Sequence, residues 1–221
     1  MIDYRFSRVI MVQGRRRGRG LAAGFFFAAF TLKGESLAKM AGLNGADTAW
    51  VLISAALVML MTPALGLFYA GLVRKKNVLS TLMHSLFMVG LISVQWVVVG
   101  YTLAFGPDVA GIVGNLKWMF LTGVGPEPNP TYSATIPHSA FMIYQCMFAV
   151  ITPALISGAF AERKRFAAFV AFTVLWSILV YAPLAHWVWA PGGWLRELGV
   201  LDYAGGTVVH ISSGEIGRAH V

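Results

Sequence analysis

Residues 201–214, "LDYAGGTVVHISSG", place one acid, one imidazole and three glycines in a short apolar run. His210 carries the chemistry. Its ordinary pKa lies near neutrality, so it can take up or release a proton under physiological conditions. Asp202 lies eight residues earlier. On a helix that separation is about 12 Å of rise. Gly206 and Gly214 stand four residues to either side of His210 and share its face. Such a face is smooth and admits another helix or a narrow passage. Ser212 and Ser213 are close enough on a helix to suggest a histidine-assisted nucleophile. However, no acid is placed to orient the ring as a base, because Asp202 is about two turns away. The opposing reading is a structural histidine bonded to a neighbouring helix.

What must hold this run in place is a membrane bundle. The 221 residues are 57% hydrophobic and only 12% charged, and the mean hydropathy is +0.70. A soluble domain carries about 25% charged residues. Long apolar runs cover residues 49–73, 82–105, 138–160 and 167–189, and a fifth begins near Tyr203 and stops at about Gly214. Each of the first four has the ~20 residues a spanning helix needs. They show no period-2 alternation, so helices are expected rather than strands. Residues 106–137 read as an irregular loop rich in glycine and proline. The fold class is therefore all-α integral membrane protein.

The charge pattern orients the bundle. The net charge is +8, with eight of the seventeen lysines and arginines in the first forty residues. The others concentrate at "RKK" (74–76) and "ERKR" (162–165). This is topological charge and not a nucleic-acid face. The positive-inside rule assigns both loops to the cytoplasm of a multi-pass cell-membrane protein, with the mature N-terminus outside. Asp202 then lies near the outer surface and His210 close to mid-bilayer, where an ionisable side chain marks a functional site. Residues 1–45 read as a signal-peptide-like or mis-called extension: "RRRGRG" precedes about a dozen apolar residues, too few to span. Cys146 is the only cysteine, so a disulfide framework is excluded. No histidine pair has the i, i+4 spacing of a helical metal site, so neither metal nor cofactor is expected.

Several stretches agree, in order, with one family. "DYAGGTVVHISSG" closely resembles the fifth-helix motif of the ammonium transporter family (Amt, MEP and Rh proteins). "ADTAWVLISAALVMLMTPALGLFYAGLVRKKNVLS" resembles its first helix and loop, and "QWVVVGYTLAFG" its second helix. "YQCMFAVITPALISGAFAERKRF" resembles its third, and "YAPLAHWVW" the end of its fourth. The resemblance runs over residues 46–214. It implies a bundle of eleven transmembrane helices, about five of them here, built as two inverted five-helix halves and assembled as a homotrimer in lipid. The charged ending "EIGRAHV", residues 215–221, departs from the family's apolar continuation and reads as an artefactual tail.

The resemblance also implies roles. Trp189 matches the tryptophan that recruits ammonium, where a cation over an indole face gains about 0.5–2 kcal/mol. Asp202 matches the acid of the motif, with capping of the fifth helix as its simpler role. Phe148 matches one of two phenylalanines stacked above the pore. Tyr144 lies one turn outward, and the pair forms a hydrophobic gate. His210 matches the first of two pore histidines that relay a proton while neutral ammonia passes. His84, His138 and His186 read as structural. The expected partners are ammonium or ammonia and a PII-type nitrogen signalling protein at the cytoplasmic face. An ammonium-sensing membrane domain is the alternative function, and an enzyme is not expected.

Overall fold

A computed structural model of the chain describes residues 42–218. The N-terminal extension up to residue 41, and residues 219–221, lie outside the described residues. Among those described, four helices are long and apolar enough to cross a membrane: Gly45–Leu72, Lys75–Phe105, His138–Phe160 and Phe166–Glu197, called spans 1 to 4.

Span 1 starts earlier than hydropathy suggests. Asn44 caps it, its side-chain oxygen accepting from the N–H groups of Ala46 at 2.8 Å and Asp47 at 3.2 Å. The cap satisfies donors that a helix start otherwise leaves bare. Span 2 also starts early, because residues Lys75–Asn77 form a 3₁₀ turn that leads straight into Val78. Span 4 breaks after Trp189 and resumes for one turn at Trp194–Glu197.

Span 3 is the central element. In its most apolar stretch 56% of residues are buried, against 17% in span 1. Small residues let its neighbours approach. A Cβ added to Gly158 would stand 2.7 Å from the Tyr69 ring, and one added to Gly66 would stand 3.0 Å from Ser85 Cβ. Hydrogen bonds use the same contacts: Tyr69 donates to the carbonyl of Leu155 at 2.9 Å, and the Ser85 and Ser157 hydroxyls pair at 3.2 Å. Without water to drive apolar association, such close packing and polar pairing hold membrane helices together.

Among the described residues three short π turns occur, two within spans at Trp96–Gly100 and Ser177–Tyr181 and one opening the fifth helix at Gly206–Ile211. Such turns are rare and concentrate at functional sites. The first two meet: Ser177 donates to Gln95 Oε1 at 2.7 Å, and Gln95 Nε2 donates to Val174 O at 3.2 Å.

Residues 106–137, expected to be irregular, contain two small antiparallel hairpins. Strands β1 (Asp108–Val109) and β2 (Val113–Gly114) form one, and β3 (Pro128–Asn129) and β4 (Ser133–Pro137) the other. The turn of the first has Ala110 and Gly111 at φ 57° and 72°, the left-handed pair that suits tight hairpins. The fifth helix is also shifted. It is helical from Gly206 to Arg218, rather than from Tyr203 to Gly214. Gly214 keeps an ordinary helical backbone, so it does not end the helix.

Candidate functional site

Asp202 organises the start of the fifth helix. Its Oδ1 accepts from the N–H groups of Gly205 at 2.6 Å and Gly206 at 2.9 Å, and its Oδ2 from Thr207 at 2.9 Å and Val208 at 3.1 Å. One carboxylate thus collects four backbone donors. Gly205 makes the turn at φ 83° and packs against Val209 so closely that a Cβ would fall 2.5 Å from Val209 Cγ2. Val208 and Val209 are buried. His210 follows, its N–H reaching back five residues to the Gly205 carbonyl at 2.9 Å. The wide turn therefore sets the direction in which the imidazole leaves the helix.

Two cavities flank this segment. The smaller, about 240 Å³, lies at the Trp189 end and is lined by Tyr144, Gln145, Phe148, Trp189, Asp202 and Tyr203 among others. Tyr144 and Phe148 meet edge to face with centroids 5.0 Å apart, and Phe148 meets Trp189 at 6.0 Å. The cavity therefore gathers four residues singled out from the sequence. Gln145 was not among them. Its Oε1 is buried without a hydrogen-bond partner among the described residues.

The larger cavity, about 870 Å³, lies toward the Glu162 end and is lined by His210, Ser213, Gly214, Tyr69, Gly158 and Glu162 among others. His210 and Gly214 are exposed there, and Gly206 is exposed outside the lining of this cavity. Ser213 is turned away from nucleophile duty: it donates to the Val209 carbonyl at 2.6 Å.

At this end Glu162 ties two loops together. Its carboxylate accepts from Arg74 Nε with both oxygens at 3.1 Å, from the Arg74 backbone N–H at 3.0 Å and from Asn77 Nδ2 at 2.7 Å. Those bonds, the Arg74 side chain first and Asn77 next, pull the Glu162 carboxyl down to about 2. The residue adopts φ 64° to do so, a left-handed conformation that a non-glycine residue rarely takes.

The remaining described histidines are bonded within the protein. His84 Nδ1 faces Ser80 O at 2.6 Å. His138 Nε2 faces the Tyr101 hydroxyl at 2.6 Å. His186 bridges Ala104 O and Asp108. Among the described residues no group of three or more His, Cys, Asp or Glu side chains gathers as a metal site would.

Fold and site together define a multi-pass membrane protein whose helix bundle carries an aromatic cavity at one end and an exposed imidazole in a second cavity. The chain belongs to the Ammonium Transporter Family, whose profile matches residues 49–221. It is 59% identical over 171 residues to the ammonium transporter of Bacillus subtilis (strain 168), covering 77% of this chain and 42% of that protein. It is 51% identical over 174 residues to a putative ammonium transporter of Methanothermobacter thermautotrophicus, covering 78% and 42%. Among solved structures, Candida albicans Mep2 superposes with a TM-score of 0.76 at 36% identity, covering 82% of this chain and 40% of that one. A sensor Amt protein does so with 0.71 at 30% identity, covering 78% and 42%. The chain spans about two-fifths of the length of these relatives.

Proposed function

We propose that residues 46–214 form the first five-helix half of a pore that moves ammonium or ammonia across a cell membrane, working as a homotrimer. The observation that carries this reading is the pair of cavities that flank the Asp202-capped turn. Trp189, Phe148 and Tyr144 line the smaller cavity, and His210 opens into the larger one beyond the Asp202-capped turn. The loops of Arg74 and Glu162 face the cytoplasm in this reading, which puts the Trp189 cavity outside and the N-terminal end of span 1 outside as well.

The physical problem is desolvation. An ammonium ion entering an apolar passage loses its water at a large cost, while neutral ammonia loses little. The Trp189 and Phe148 rings offer faces to a cation, and Phe148 closes the floor of the cavity against water and ions. His210 accepts and passes on the proton, with a second histidine and a second phenylalanine expected on helices facing the two cavities. Potassium has no proton to give and is excluded. The basic loops of the cytoplasmic face would receive a PII-type nitrogen signalling protein.

The test is reconstitution of the gene's full-length product in liposomes, with ammonium-driven current and uptake measured. Current with no potassium response supports the transporter. Ammonium binding without current, together with a signalling module in the full-length product, supports the sensing alternative.

A further inference from the structure

His186 lines neither cavity described above. Its ring is completely buried and stands three residues before Trp189 on span 4. Both ring nitrogens meet oxygen atoms. Nδ1 lies 3.0 Å from the carbonyl oxygen of Ala104 on span 2, and Nε2 lies 2.8 Å from Oδ1 of Asp108 on β1. A carbonyl oxygen only accepts, so Nδ1 carries a proton. The Nε2–Oδ1 contact needs a second proton, on one side or the other. A neutral imidazole beside a carboxylate has one proton to share. This arrangement holds two, and the pair is electrically neutral as a unit. The imidazole is fully buried while Asp108 is exposed, so removing the carboxylate leaves the Nε2 side of a buried ring without its partner.

Asp108 also closes the first hairpin. Its two carboxylate oxygens accept from the Gly111 N–H at 2.9 and 3.0 Å. The hydrogen bond to His186 first, and that from Gly111 after it, hold the Asp108 carboxyl below its usual range. The hairpin then docks on the end of span 4. Trp187 Nε1 donates to the Ile112 carbonyl at 2.6 Å. Gly192, at φ 88°, comes so near that a Cβ would stand 3.0 Å from Asp108 Cβ. Trp189 sits between these attachments, and its carbonyl accepts from the Arg196 guanidinium.

We propose that Asp108 and His186 are positioning residues for Trp189. Their two-proton pair locks the outer end of span 4 to the β1–β2 hairpin and so fixes where the indole stands over the cavity. The geometry matters because a cation–π contact operates within about 6 Å of the ring centroid. The proposal rests on the reading of Trp189 as the recruiting aromatic.

The experiment uses the full-length gene product. Nitrogen-15 NMR of His186 in the wild type is expected to show two ring N–H protons at neutral pH, or one N–H and one proton shared strongly with Asp108. In Asp108→Asn the new amide donates to Nε2 and still accepts from Gly111. The ring should then carry a single N–H, on Nδ1, with both its hydrogen bonds kept. For uptake, Asp108→Ala should raise the half-saturating ammonium concentration about threefold or more, the equivalent of a weakened cation–π contact. The maximal rate per folded protein should not change, and Asp108→Asn should restore the wild-type value.

A wild-type ring with one N–H and no shared proton overturns the pairing, and that measurement needs no variant. A folded Asp108→Ala protein with wild-type half-saturation, or Asn and Ala variants impaired alike, overturns the positioning role. If the alanine variant does not fold, Gly192→Ala tests the same docking sterically: an unchanged half-saturation in it counts against the proposal. A wild-type protein without ammonium transport would count against the proposed function and leave the ring measurement standing.

Discussion

Phe148 on span 3 and Trp189 near the end of span 4 meet edge to face across the smaller cavity, their ring centroids 6.0 Å apart. In the proposed pore, an ion above the indole would rest next to the ring proposed to block its way inward. The two substitutions should separate. Trp189→Leu should raise the half-saturating ammonium concentration about 2- to 30-fold, the loss of one cation–π contact. Phe148→Ala should leave that concentration closer to wild type and open the floor to water and ions. Stopped-flow water permeability and substrate-dependent current on reconstituted protein distinguish them. If Phe148→Ala stays as tight to water as wild type, Phe148 is packing and not a gate.

Asp202 should behave as a cap. Its four backbone bonds exceed those of an ordinary N-cap, whose loss costs about 0.5–2 kcal/mol. Asp202→Ala is expected to lower stability by at least the upper part of that range, and Asp202→Asn by less, because an amide keeps one accepting oxygen. Thermal melting of the purified protein in detergent measures this. A role in attracting cations by charge alone predicts the reverse pattern: Asp202→Asn would keep its melting temperature and lose ammonium affinity.

Much of this arrangement was legible in the sequence, and the reasons differ by feature. The four spans follow from apolar length, which a bilayer dictates directly. Their ends did not, because Asn44, the Lys75–Asn77 turn and the break after Trp189 are set by local hydrogen bonds rather than by hydropathy. The motif at 201–214 puts Asp202 and His210 on view, yet the π turn that carries His210 is hidden. "GTVVHI" looks like any apolar helix, and the wide turn arises with Asp202 and Gly205 ahead of it. The hairpins are too short to leave a periodic signal. The Asp108–His186 pair joins residues 78 positions apart, and nothing local announces it. Gln145 sits between two noticed aromatics, and only its unpaired oxygen singles it out.

Glu162 predicts an acid-dependent loss of stability. Its folded pKa, about 2, lies below its ordinary value of 4.5. A depressed carboxylate contributes stability that is fully present above the ordinary value and is lost as pH falls toward the folded one. The wild type should therefore lose thermal stability relative to Glu162→Gln as pH drops from about 4.5 to about 2, and the two should run parallel at higher pH. The group is solvent-exposed, so raising the salt concentration should shrink the difference. Parallel curves across the whole range would show that the Arg74 and Asn77 contacts contribute nothing net.

His210 tests the proposed proton relay. It is exposed in the larger cavity, beyond two buried valines, and shares that cavity with Gly214. If it passes the proton of ammonium, His210→Ala in the full-length protein should abolish ammonium-driven current or admit potassium, because the apolar passage otherwise stays intact. If it only ties helices together, the same change should reduce the yield of folded protein and leave the remainder selective. Purified variants in liposomes, with ammonium- and potassium-driven currents normalised to folded protein, separate these outcomes. An unchanged ammonium current with unchanged selectivity would remove the relay and leave Gly206, His210 and Gly214 as a packing seam. Loss of current with neutral ammonia still permeating would place the proton step at this imidazole, since the neutral species needs no relay to cross an apolar passage.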